Sequence, residues 1–344
     1  MPKRSHNDNP NPADAFDQSI FISQIADVVR YSEPPKGIAI NGYWGSGKTS
    51  ALIQLHKELT GILPTSQNKP DNLNFTSVWF EAWRYQNETL PIVALLQEIR
   101  SKFSLWNSFL TGAKKLSGIT LTGVLGAFDE TLKAASGGIM NPSLGKIPEI
   151  AAQWEKNHYQ TKLASQDLIQ LLEEAIEKAL GSNERKLVIF IDDLDRCSPE
   201  TALKLLEGIK LYLNLKNCVV IFGMDQRQIE NSLRKALNLK DDSSDGDHHA
   251  REYLEKICQD IYHLPLPNQT KKSKYLLDLL KELNLGTASN QPQLNEVEKV
   301  LVEYDCLPAN PRKIKALANR IKSTRKWSDT IAKIYLVKIN FVVN

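Results

Sequence analysis

The chain has 344 residues, 42% hydrophobic and 24% charged, with a formal net charge of +3. That composition can build a real core, and the length calls for two domains or one domain with appendages. So small a charge gives no reason to expect a nucleic-acid binder, although a local basic patch stays open.

Residues 1–14 are polar, rich in Asn and Pro and without an apolar stretch, which reads as a disordered lead-in and not as a secretory signal. Phe16 to Val29 carries Ile22, Ile25, Ala26 and Val29 on one helical face. Gly37 to Asn41 reads as a short buried strand. It runs into Gly42-Tyr43-Trp44-Gly45-Ser46-Gly47-Lys48-Thr49, a complete phosphate-binding loop of Walker A form. A helix then carries Leu52, Leu55 and Leu59 on one face. Glycines let the backbone wrap closely around phosphates with successive N–H groups pointing inward, and the helix N-terminus adds a favourable dipole. Lys48 is placed to reach the β- and γ-phosphates of a nucleoside triphosphate, and the Thr49 hydroxyl to ligate Mg²⁺.

Leu63 to Leu73 reads as a loop and Phe75 to Phe80 as a second strand, followed by a helix from Pro91 to Phe103. The stretch 105–148 is long, rich in Gly, Ser, Thr and Leu, and exceeds what a minimal nucleotide-binding core needs. Its most apolar part, Leu116 to Phe128, is too short to span a bilayer. It is read as an inserted helical hairpin packed on the protein, or as a membrane-surface or partner-binding insertion. Ile150 to Leu180 reads as helical, Leu187 to Ile191 as a buried strand, and Pro199 to Leu213 as a helix capped by Ser198. Val219 to Phe222 is another strand, and a helix bearing Ile229, Leu233 and Leu237 follows. After an acidic loop come a helix from Arg251 to Gln259 and a last strand from Ile261 to Pro265. From Lys271 the chain reads as all-helical. Alternating strands and helices predict an α/β parallel sheet flanked by helices. The expected domains are a core over 15–267, with the insertion 105–148, and a helical C-terminal domain over 268–344.

Asp192-Asp193-Leu194-Asp195-Arg196 closes a buried strand, where the carboxyl edge of a parallel sheet binds ligands. This is the Walker B counterpart of the loop. Asp192 would hold Mg²⁺, Asp193 would orient or deprotonate the attacking water, and Asp195 would add a supporting or switching role. Asp225 ends the next strand, either as a sensor of the γ-phosphate or as a helix N-cap, and the two roles are compatible. Asn310-Pro311-Arg312 begins a helix from which Arg312 could reach the nucleotide; an exposed basic helix start is the alternative.

Other signals are discounted. Asp241 to Glu252 fits much of a calcium loop, but His248 stands where a paired hand takes an apolar residue and no second hand exists, so a solvated loop is the better reading. Lys322 to Trp327, with Lys322, Arg325, Lys326 and an aromatic, is read as a surface helix end, with a nucleic-acid contact as the alternative. The apolar Ile334–Val343 end would dock on the core or on a partner. Cys197, Cys218, Cys258 and Cys306 have no metal-ligand spacing and suit reduced thiols in a cytoplasm.

Together with Phe80-Glu81-Ala82-Trp83-Arg84-Tyr85, Phe222-Gly223-Met224-Asp225 and Tyr253-Leu254-Glu255-Lys256-Ile257, these motifs resemble the KAP family of P-loop NTPases over about residues 15–325. The matching loop runs from Gly42 through Ser50. The resemblance implies a RecA/AAA-like core with a helical C-terminal region. Family members include bacterial phage-exclusion proteins and animal membrane signalling scaffolds, many with transmembrane helices between the two nucleotide motifs; the 105–148 stretch occupies that place without the apolarity to span. General P-loop ATPases often use Glu where this chain has Asp193.

The expectation is therefore an ATP- and Mg²⁺-dependent hydrolase acting as a switch or motor on an unidentified protein partner, with phage defence as a setting. It would be cytoplasmic, open to homo-oligomerisation, and would touch a membrane surface only through 105–148. A non-enzymatic nucleotide-gated scaffold is the alternative, and a nucleic-acid-remodelling ATPase the third reading.

Overall fold

The computed structural model describes residues 5–7, 9–10, 15–66, 72, 74–88, 91–109, 173, 176–177, 180–181, 184–237, 244–283, 301 and 307–323. In chain order its elements are α1 (Ser19–Tyr31), β1 (Lys36–Asn41), α2 (Lys48–Thr60), β2 (Phe75–Glu81), a 3₁₀ turn (Ala82–Tyr85) and α3 (Pro91–Phe109). There follow β3 (Lys186–Asp192), a 3₁₀ turn (Leu194–Arg196), α4 (Pro199–Tyr212), β4 (Cys218–Met224) and α5 (Gln226–Ala236). The last are α6 (Ser244–Glu255), β5 (Asp260–His263), α7 (Gln269–Glu282) and α8 (Pro311–Ser323). The described residues form two compact units, one drawn from Gln24–Asn41 and Leu55–His263, the other from Met1–Ser23, Gly42–Gln54 and Leu264–Asn344.

The first unit holds the sheet. Its five strands run parallel in the order β2-β3-β4-β1-β5. β4 is buried at every position, which is why its sequence is an apolar run without alternation. β1 and β3 are separated by β4, so two strands distant in sequence lie close in the sheet. The core is built from Val78, Phe80, Ile189, Ile191 and Phe222 of the strands with Leu95, Leu205 and Leu206 of α3 and α4. Lys186 ties α1 to this sheet: its Nζ donates to the carbonyls of Val29, Arg30 and Ser32 at 2.9, 2.7 and 2.7 Å. These are carbonyls at the C-terminal end of α1, where a cation is favoured.

The second unit packs α7 against α8 through Tyr275, Leu276, Leu280, Ile314, Ala318 and Ile321. Phe16 lays its ring on Tyr275 with centroids 4.7 Å apart. Part of the 1–14 lead-in is described here. The His6 amide donates to Asn319 Oδ1 at 2.7 Å, and the Asn319 amide returns a bond to His6 O at 2.9 Å.

Two helices differ from expectation. α3 runs on to Phe109, past Phe103. The helix expected over Arg251 to Gln259 is α6, which starts earlier, at Ser244, and ends at Glu255. The stretch that read as an acidic loop is therefore helical from Ser244 onward. The later positions of the calcium-like stretch are thus helical and cannot wrap an ion. Most of 105–148, and all of 150–170, 241–243 and 324–344, lie outside the described residues. Among the described residues no helix is long and apolar enough to cross a membrane.

Candidate functional site

Strand β1 ends at Asn41 and the chain enters the loop at Gly42, with α2 beginning at Lys48. The Ser46 amide donates to Tyr43 O at 3.0 Å and the Ala51 amide to Gly47 O at 2.9 Å, so the loop closes as a turn onto the helix. Gly47 has φ +104, and a Cβ there would meet none of the described atoms within 4 Å. A side chain would therefore project into open space from a backbone that L-residues rarely adopt. A Cβ on Gly42 would lie 2.6 Å from Ser46 Oγ, so a side chain there would have to displace that hydroxyl. Lys48 Nζ donates to Gly42 O at 2.9 Å and bends back over the loop.

Ser46 Oγ is buried and, among the described residues, has no hydrogen-bond partner. A buried hydroxyl in that condition is costly, and an anion with acceptor oxygens would satisfy it. Together with the backbone cradle and the helix N-terminus, it fits the loop to phosphate.

The same unit brings the start of α8 onto the loop. Asn310 Oδ1 accepts from the amides of Arg312 at 3.0 Å and Lys313 at 3.3 Å, capping α8. Its Nδ2 donates to Trp44 O at 2.8 Å. The Arg312 guanidinium lies over the Trp44 ring, 4.3 Å from its centroid. Sequence reasoning marked Arg312 but passed over Asn310. The available signal was Asn before Pro at a helix start, which announces a cap.

In the sheet unit, Asp192 is buried at the carboxyl end of β3, in register with Glu81 of β2. Asp193 stands in the left-handed region at φ 58, and its carboxylate pairs with Arg196 Nε at 3.1 Å. Strained non-glycine residues concentrate at functional sites. Burial, then the neighbouring Asp195 and Asp193, pushes the Cys197 thiol up to about 12, which makes it a poor nucleophile. Asp195 Oδ2 accepts from the amide of Asp225 at 3.1 Å. Asp225 occupies the N-cap position of α5 but makes no side-chain capping bond. Asn41 supplies that bond instead, its Oδ1 accepting from the Gln226 amide at 2.9 Å. The Asp225 carboxylate thus does not serve as the cap. Ser198 does cap α4, accepting from Thr201 N.

The candidate residues fall in two groups. Gly42 through Ser50, Asn310 and Arg312 come together in the helical unit. Asp192, Asp193, Asp195 and Asp225 come together in the sheet unit.

Among known proteins, the model for the KAP family P-loop domain matches residues 18–327. An uncharacterised protein of Methanocaldococcus jannaschii is 28% identical over 173 residues, a match covering 43% of this chain and 89% of that protein. The phage T7 exclusion protein of Escherichia coli K12 is 24% identical over 250 residues, covering 67% of this chain but only 30% of the E. coli protein. Two solved structures are similar more loosely. C. elegans PCH-2 aligns with a TM-score of 0.41 at 11% identity, covering 95% of this chain and 70% of that one. Drosophila ORC bound to DNA aligns with a TM-score of 0.42 at 12% identity, covering 93% and 66%.

Proposed function

This chain belongs to the KAP family of P-loop NTPases, and we propose on that premise that it is a Mg²⁺-dependent ATPase acting as a switch or motor on a protein partner. Family membership and the parallel sheet support nucleotide binding. The observation that carries the reading further is Ser46, whose buried hydroxyl is unmatched among the described residues inside a glycine cradle at a helix N-terminus.

The loop amides and Lys48 would bind the triphosphate and neutralise its charge. Thr49 and Asp192 would hold Mg²⁺, which when bound polarises the phosphates and offsets their charge. Asp193 would orient the attacking water and accept its proton. Asp225 would sense the γ-phosphate. Arg312 would report the nucleotide state to the helical C-terminal region. The E. coli relative is named for phage T7 exclusion. Because the match spans less than a third of that protein, phage defence is proposed here only as the setting. Cytoplasmic residence, self-assembly and a membrane contact through 105–148 remain part of the same proposal.

A second reading is favoured by one observation: the Asp193 carboxylate is engaged by Arg196. A base held this way turns over slowly, which suits a nucleotide-gated scaffold. Phosphate release from ATP, measured across protein concentrations with Lys48→Ala as the control, separates the two. Lys48-dependent turnover supports the ATPase. ATP binding without turnover supports the scaffold, and ATP binding unchanged in Lys48→Ala overturns both.

A further inference from the structure

We propose that Asn310 is a positioning residue of the phosphate loop: its side-chain amide fixes the Trp44–Gly45 peptide, and α8 is thereby locked to the loop's conformation. Three observations within one unit converge on this. Asn310 uses both ends of its side chain, with Oδ1 capping α8 through the Arg312 and Lys313 amides and Nδ2 donating to Trp44 O at 2.8 Å. Next to that carbonyl, Gly45 has φ +79, and a Cβ built on it would lie 2.6 Å from Asn310 Oδ1. Glycine is required there both by the backbone and by the closeness of Asn310. Finally, the Arg312 guanidinium covers the Trp44 ring at 4.3 Å, a second tie between the same two segments.

The geometry gives the loop and the helix a shared conformational coordinate. The peptide that follows Trp44 O carries the Gly45 amide and leads directly to Ser46, the residue with the unmatched hydroxyl. Turning that peptide out of this setting breaks or strains the Nδ2 bond, and with it the cap of α8. Fixing the peptide beforehand lowers the ordering cost of binding. Arg312 is engaged with an aromatic face in this state, so any reach toward a phosphate requires it to leave Trp44. Trp44 and Asn310 together therefore hold the report that Arg312 would make.

This rests on the nucleotide-binding reading, and two measurements separate the failure of one from the failure of the other. The first needs no nucleotide. Hydrogen exchange is followed in the full chain at the Ser46 amide, bonded to Tyr43 O, and at the Ile314 amide, bonded to Asn310 O. Asn310→Ser keeps a good N-cap but lacks the amide donor, whereas Asn310→Ala loses both. The expected result is faster exchange at Ser46 in both variants, with wild-type protection at Ile314 in Asn310→Ser. Wild-type exchange at Ser46 in Asn310→Ser overturns the proposal. The second measurement is ATP affinity by titration. Loss of one hydrogen bond should weaken binding by roughly two- to tenfold in Asn310→Ser. ATP binding in the wild type with unchanged affinity in Asn310→Ser also overturns it. Absence of ATP binding in the wild type defeats the functional reading and leaves the exchange result to decide the role of Asn310.

Discussion

The carboxylate of Asp195 holds the backbone amide of Asp225, Oδ2 to N at 3.1 Å. The third acid of the Asp192–Arg196 string therefore fastens the turn after β3 to the carboxyl end of β4. Removing the acceptor leaves a half-buried amide unmatched. Asp195→Ala should cost about 1–3 kcal/mol of stability. Asp195→Asn keeps an acceptor oxygen and should cost less. Urea unfolding of the two variants checks this, and equal losses would defeat the assignment.

Asp193→Asn is a clean probe of hydrolysis because Asn tolerates the left-handed backbone that Asp193 adopts at φ 58. The variant should fold as the wild type does, bind ATP, and lose turnover by roughly 10²-fold or more, the usual range for an acid–base group. Asp193→Ala adds strain and blurs the reading. Unchanged turnover in Asp193→Asn would remove this residue from the proposed chemistry.

His56 predicts an acid-side loss of stability. The neutral ring is fully matched: Nδ1 donates to Ile62 O at 2.9 Å, and Nε2 accepts from Ser77 Oγ at 2.8 Å. Burial first, and then the charge of Lys102, lower its pKa from 6.5 to about 4. Between those values the unfolded chain takes up a proton that the folded chain refuses. Stability from this group is full above pH 6.5 and falls as pH drops toward 4, by about 3 kcal/mol in all. Between pH 7 and pH 4 the wild type should lose about 3 kcal/mol more stability than His56→Gln in unfolding experiments, since carboxylates contribute equally to both.

Gly208 packs α4 on α3. A Cβ there would meet Ile92 Cβ at 2.7 Å and Cγ1 at 2.9 Å. Helix propensity alone would reward Gly208→Ala by about 1 kcal/mol. The clash is with an atom next to the backbone, which cannot swing away, and overpacking of this kind costs about 1–3 kcal/mol. The variant should be neutral to destabilised, with α3 displaced; a clear rise in melting temperature would contradict the packing.

The phosphate loop and the acidic string were legible because their chemistry is local. Gly45 and Gly47 must follow one another at fixed spacing, and Asp192 must end an apolar run. The buried strands were legible for a similar reason, since burial on both faces demands uninterrupted apolar residues, as in Val219 to Phe222. Boundaries were less so. An acidic stretch suits a loop and a helix start alike, and α6, which buries Ala250 and Leu254, begins within it at Ser244.

By itself, the sequence determined that this chain has a triphosphate loop, a matching acidic strand and an α/β parallel core, because each is written in residues adjacent along the chain. The tertiary structure alone decided the strand order β2-β3-β4-β1-β5, the hold of Asp195 on Asp225, and the bond from Asn310 to Trp44 across 266 positions. Such contacts depend on how whole elements pack. No local pattern encodes which distant carbonyl an amide will find once the chain has folded.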